Sequence, residues 1–111
     1  MDDSRTVFIY TRTAKVCVDQ IVTHLQRIDI EPRPVIAEIL DEFEARVGRF
    51  PLGCQQCPEL VKLGCAKYRE CNTSGGYRVL YSIDEETINV HAVLSHRQDI
   101  QQLLFKRLIQ A

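Results

Sequence analysis

An arginine at position 78 interrupts the apolar run Tyr77-Arg78-Val79-Leu80-Tyr81, where packing alone gives no reason for a guanidinium. His91 intrudes in the same way on Ile88-Asn89-Val90-His91-Ala92-Val93-Leu94, and His96-Arg97 follow Ser95 directly. Lys67 and Arg69 stand shortly upstream. These residue types share one chemistry. A guanidinium holds two phosphate or carboxylate oxygens at once, and an imidazole moves protons near neutral pH. Gathered on one surface, they would suit a phosphate or a carboxylate.

The surrounding pattern predicts the elements that would position them. Thr6-Val7-Phe8-Ile9-Tyr10 reads as a short strand. Ala14, Cys17, Val18, Ile21, Val22, Leu25 and Ile28 recur at helical spacing, which predicts a helix over 13–28. Pro32 and Pro34 break the pattern, and Pro34 suits the first turn of a second helix. That helix carries Ile36, Ile39, Leu40, Phe43 and Val47 and stops at Gly48. The short connection predicts an antiparallel helix hairpin. Residues 49–63 read as the longest irregular segment, either a functional loop or a plain connector. Strands are predicted over 64–71, 76–83 and 87–94, joined by Asn72-Thr73-Ser74-Gly75 and by Asp84-Glu85-Glu86. Ser95 and Gln98 have capping-box form, and Ile100, Leu103, Leu104 and Leu108 mark a terminal helix with Phe105 and Ile109 on its flank.

A turn at 72–75 sets Cys71 opposite Gly76, and hence Arg69 opposite Arg78 and Lys67 opposite Leu80. Pairing Ile83 with Ile88 sets Leu80 opposite His91 and Arg78 opposite Val93. Directly opposed side chains share a face. One face then holds Val79, Tyr81, Ile83, Ile88, Val90, Ala92 and Leu94 as core. The other gathers Lys67, Arg69, Arg78 and His91 beside Leu80 and Val93. A slip of one residue would exchange the faces. Two opposed arginines repel unless an anion lies between them, so the face fits a phosphate; it also fits a solvated surface with no role. His96 and Arg97 fall where a helix start already attracts anions.

Composition narrows the alternatives. The chain has 111 residues, 45% hydrophobic and 26% charged, with a formal net charge of -1. That is the size of one domain, spanning 1–111, and it argues against binding nucleic acid through a whole-protein field. No apolar run approaches a membrane span, and the acidic start Met1-Asp2-Asp3-Ser4 lacks signal-peptide character. A cytoplasmic protein is expected, with its five cysteines reduced. Cys54-Gln55-Gln56-Cys57 with Cys65 and Cys71 raises zinc, but one strand would hold Cys65 and Cys71 about 20 Å apart. No metal and no cofactor are expected. The cysteines read as small buried hydrophobes, with Cys17 or Cys71 as a nucleophile unsupported by any partner motif. No glycine-rich nucleotide loop, carboxylate dyad or nucleophile elbow is present.

The order of these features resembles the RelE/ParE superfamily of toxins from bacterial type II toxin–antitoxin operons. The likeness runs over nearly the whole chain: the short strand, the helix hairpin, Lys67-x-Arg69, Gly76-Tyr77-Arg78-Val79-Leu80-Tyr81, and Val93-Leu94-Ser95-His96-Arg97-Gln98-Asp99-Ile100. The resemblance implies an α+β fold: N-terminal strand, helix hairpin, three-stranded antiparallel meander and C-terminal helix. It also implies a cognate antitoxin, expected to dock on an apolar groove that includes Phe105 and Ile109. RelE-like members cleave mRNA on the ribosome with basic residues on the sheet. By motif position the catalytic residues would be Arg78 and Arg97, with His96 or His91 moving protons, and the substrate-binding residues Lys67 and Arg69. Leu103 stands where many such toxins carry a terminal tyrosine. ParE-like members instead block DNA gyrase without chemistry of their own, and a non-toxic interaction module would keep the same fold.

Overall fold

In the computed structural model, residues 6–95 are described. The chain runs through β1 (Val7–Tyr10), α1 (Arg12–Arg27), α2 (Pro32–Arg49), a 3-10 turn (Pro51–Gly53), α3 (Pro58–Val61), β2 (Arg69–Asn72), β3 (Tyr77–Asp84) and β4 (Thr87–Ser95). The terminal helix expected from the sequence lies outside these residues, as do His96, Arg97, Phe105 and Ile109.

Both long helices start and stop for local reasons. Thr11 caps α1, its Oγ1 accepting from the Ala14 N–H at 3.2 Å. The helix buries Ala14, Cys17, Ile21 and Leu25, one turn after another. It closes with paired bonds, Ile30 N–H to Leu25 O and Asp29 N–H to Gln26 O, a Schellman motif in which Asp29 takes a left-handed φ of 61°. Pro32 opens α2, two residues before the expected Pro34, and Ile39, Phe43 and Val47 form its buried stripe.

The four strands form one sheet in the order β1-β4-β3-β2. β1 runs parallel to β4, with Phe8 beside Ile88, and the helix hairpin follows β1 on the way to β2 at the opposite edge of the sheet. β2, β3 and β4 form the expected antiparallel meander. Rings join helix and sheet: Phe8 meets Phe43 edge-on at 5.6 Å, and Phe43 meets Tyr81 at 5.7 Å.

Three expectations need correction. First, the strand read over 64–71 is shorter. Residues 58–61 coil into α3 behind Pro58 and bury Leu60. A turn with Gly64 at φ 86° then delays the strand to Arg69. Cys65 and Cys71 therefore do not end a common strand.

Second, the β2–β3 turn is not at 72–75. Thr73 N–H bonds Tyr77 O at 2.8 Å, which leaves Ser74, Gly75 and Gly76 as a three-residue loop with Gly76 at φ 88°. The register becomes Arg69–Tyr81, Glu70–Leu80, Cys71–Val79 and Asn72–Arg78. The displacement is three residues, an odd number, so the faces of β2 are exchanged.

Third, β4 carries a bulge. Ile83 pairs with Ile88 as expected, but the register shifts between Leu80 and Tyr81, setting Tyr81 opposite Val90 and Leu80 opposite Ala92. His91 is the extra residue. Val93 pairs with Val79 and joins the helix face, while Ala92 and Leu94 move to the other.

Candidate functional site

The exchanged faces change what surrounds Arg78. Arg69 lies on the helix side, paired with Tyr81, and its guanidinium donates to Cys54 O at 2.6 Å. In its place β2 brings Glu70 and Asn72 to the face of Arg78. The Arg78 guanidinium donates to Glu70 Oε1 at 2.6 Å and to Glu59 Oε1 and Oε2 at 3.0 and 3.2 Å. Its side chain is 17% exposed and that of Glu70 5%, so this is an interior charge pair with Glu59, at 32%, on its rim. Gln55 donates to Glu70 Oε2 at 2.5 Å, and Asn72 donates to the same oxygen at 3.3 Å. Every charged group in the cluster has a partner.

The electrostatics follow from that pairing. Burial opposes ionisation of Glu59, but its backbone N–H and the Arg78 guanidinium outweigh burial and hold its carboxyl below the usual range. Burial likewise opposes the charge on Arg78, and Glu70 and Glu59 more than restore it. Cys57, Glu59 and Glu70 bring a sulfur and two carboxylate oxygens within 4.8 Å of one another. Arg78 already supplies the positive charge there, and a divalent ion would have to displace it. Burial raises the Cys57 thiol above its ordinary value, which further disfavours ligation.

His91 sits apart from Arg78, two rungs along the same face. Its Nε2 and Ser82 Oγ are 2.7 Å apart. The Tyr68 ring meets its own edge-on at 4.9 Å. Burial, reinforced by the nearby Lys67 ammonium, lowers its pKa to about 4, so the ring is neutral at pH 7. Lys67 is exposed, its Nζ lying 5.2 Å from the Tyr68 ring centroid.

Of the six residues expected at the catalytic and substrate-binding positions, the described residues therefore hold four, in three different settings. Arg78 is ion-paired, Arg69 is on the opposite side of the sheet, and His91 and Lys67 stand together near Tyr68. His96 and Arg97, and the docking residues Phe105 and Ile109, lie outside the described residues. Sequence reading missed Glu59 and Glu70. The signal for Glu70 was its place beside Arg69, since any odd slip of β2 puts the acid, not the base, next to Arg78.

The sheet order, the parallel β1, the helix hairpin and the antiparallel meander together define a small α+β fold. The chain matches the family described as "ParE toxin of type II toxin-antitoxin system, parDE" over residues 8–100, and it belongs to that family. Its structure is similar to one titled "Chromosomal ParDE TA system from P. aeruginosa", with a TM-score of 0.63 at 13% identity, covering 82% of this chain and 96% of that one. No curated protein matches the sequence. No helix among the described residues is long and apolar enough to cross a membrane.

Proposed function

We propose that this toxin inhibits growth by binding its target, DNA gyrase, rather than by cleaving RNA. The observation that carries this reading is the pairing of Arg78 with Glu59 and Glu70. A phosphate-stabilising arginine needs its fork open toward the substrate. Here two carboxylates converge on Arg78 Nη1, and a phosphate approaching that nitrogen would meet two negative charges. Arg69, expected to bind substrate beside Arg78, faces the helices. His91 is neutral and engaged with Ser82, which suits a structural role better than proton transfer to a ribose. A binding toxin needs no such machinery. The cognate antitoxin is the partner that holds it inactive, and both act in the cytoplasm.

Induced expression with two separate assays tests the reading. Purified toxin should abolish supercoiling by gyrase while leaving mRNA intact in a translating extract. Cleaved mRNA with normal supercoiling would replace this reading with the endonuclease one.

A further inference from the structure

Residues 54–57 form a short strap against the outer edge of β2. Gln56 pairs with Arg69 in an antiparallel bridge. The flanking bonds are Cys57 N–H to Tyr68 O at 2.9 Å and Glu70 N–H to Gln55 O at 3.0 Å. Extending that register by two residues sets Cys54 directly opposite Cys71, at a position of the kind that exchanges no ladder bonds. Such pairs bring their Cα atoms to about 4.5 Å, within the range a disulfide spans. Directly opposed side chains also share a face, and Cys54 is close enough to Cys71 to oppose its ionisation. Cys57, three residues from Cys54, turns to the other face, toward Glu59 and Glu70. The Cys-x-x-Cys motif thus straddles the strap, and its first member is matched with Cys71 instead.

We propose that Cys54 and Cys71 are a redox modification site, oxidised by hydroperoxides to a reversible disulfide that fastens the strap to the sheet.

The two sulfurs differ as an attacking and a resolving thiol should. Cys54 is half-buried and Cys71 is buried, so the oxidant reaches Cys54 first. Burial pushes the Cys71 thiol up to about 12, which makes it a poor first nucleophile. Cys54 sulfur attacks the peroxide O–O bond, becomes a sulfenic acid and releases an alcohol or water. Cys71 sulfur then attacks Cys54 sulfur and expels water, its own proton leaving on that oxygen. The two sulfurs lose two electrons in all, and the peroxide gains them. Arg46 Nη1, 3.5 Å from Cys71 Sγ, lies where it stabilises the developing thiolate. All five cysteines are free thiols as the chain stands.

The link would act next to the Arg78 cluster. Cys54 precedes Gln55 and Cys71 follows Glu70, and these neighbours are themselves bonded at 2.5 Å. Oxidation would fix that contact and tether the segment bearing Phe50 and Leu52, which are 67% and 71% exposed. The inference does not depend on which target the toxin binds.

The full chain, reduced and then treated with hydrogen peroxide, is alkylated, digested and mapped by mass spectrometry. The expected product has lost two hydrogen atoms, joins Cys54 to Cys71 by fragment ions, melts several degrees higher and reverts with dithiothreitol. Cys54→Ser should give neither the link nor the shift, whereas Cys57→Ala should keep both. A link through any other pair, an over-oxidised Cys54 beside a free Cys71, or no oxidation of either residue would overturn the proposal; mapping the wild type needs no variant to fold.

Discussion

The two faces of the sheet are built on different physics. Against the helix hairpin the interior is apolar, with Phe8, Phe43 and Tyr81 stacked edge to face and Val79, Val90 and Val93 between strands. On the other face, buried Leu80, Ala92 and Leu94 alternate with polar groups that bond one another: Arg78 with Glu59 and Glu70, His91 with Ser82. The first face is held by burial, which asks only that each inward side chain be apolar and of suitable size. The second depends on specific pairs, which a shift of register breaks. Cations in a strand are therefore weak evidence for a ligand until the register of the neighbouring strand is known.

The largest effect should separate these two kinds of interior. Phe43 is fully buried, and Phe43→Ala should cost about 3–5 kcal/mol through the lost contacts and the cavity left behind. Arg78→Ala should cost a similar 3–5 kcal/mol, but for another reason: it strands Glu70 as a buried unpaired charge. The two losses differ in how they are repaired. Adding Glu70→Leu to Arg78→Met should return most of the stability, to within about 1–2 kcal/mol of wild type, because the ion pair is removed whole. Denaturant unfolding of the single and double variants measures this coupling. Strict additivity would mean that Arg78 and Glu70 do not act as a pair.

A middle-sized effect is expected at His91, where the polar face should make stability depend on pH. Its folded pKa of about 4 lies below the ordinary 6.5, so the unfolded chain takes up a proton that the native state refuses. Stability is full above pH 6.5 and declines as pH falls from 6.5 toward 4. Allowing for partial exposure, the loss is on the order of 1–2 kcal/mol. His91→Gln keeps a side chain able to meet Ser82 and cannot titrate in this window. Its unfolding free energy should lose that part of the slope between pH 6.5 and 4.5. An unchanged slope would move the titrating group elsewhere.

Legibility in the sequence divides along the same line. The helix hairpin follows from Thr11, from the buried spacing of Ala14, Cys17, Ile21 and Leu25, and from the prolines that open α2. Each is a local signal with a local cause. The β3–β4 start was equally legible, since Asp84 and Thr87 close a tight turn around Glu85. The candidate site was not, because it depends on two decisions the residues leave nearly balanced. Asn72-Thr73-Ser74-Gly75 and Ser74-Gly75-Gly76 are both sound turns, and only the left-handed φ of Gly76 selects the second. The bulge at His91 is likewise set by packing on both faces, with no marker in Val90-His91-Ala92. Each choice moves strand segments between faces, so Arg78 and His91 were read on the right face while Arg69 and Val93 were assigned to it wrongly.

The smallest effect tests whether local rules govern the helix side throughout. Asp29 is the residue there that departs from them: it closes the α1 Schellman motif at φ 61°, a conformation in which glycine carries no Cβ penalty. A left-handed non-glycine residue costs roughly 1–2 kcal/mol, and glycine returns part of that through the greater freedom of the unfolded chain. Asp29→Gly should therefore stabilise by up to about 1 kcal/mol, read as a rise in the denaturant midpoint with an unchanged slope. The Ile30 N–H to Leu25 O bond at 2.9 Å should persist, because glycine adopts the same turn. A loss of stability would mean that the Asp29 side chain does something for the helix corner beyond occupying the turn. The helix side would then rest on a specific polar pairing, as the Arg78 side does.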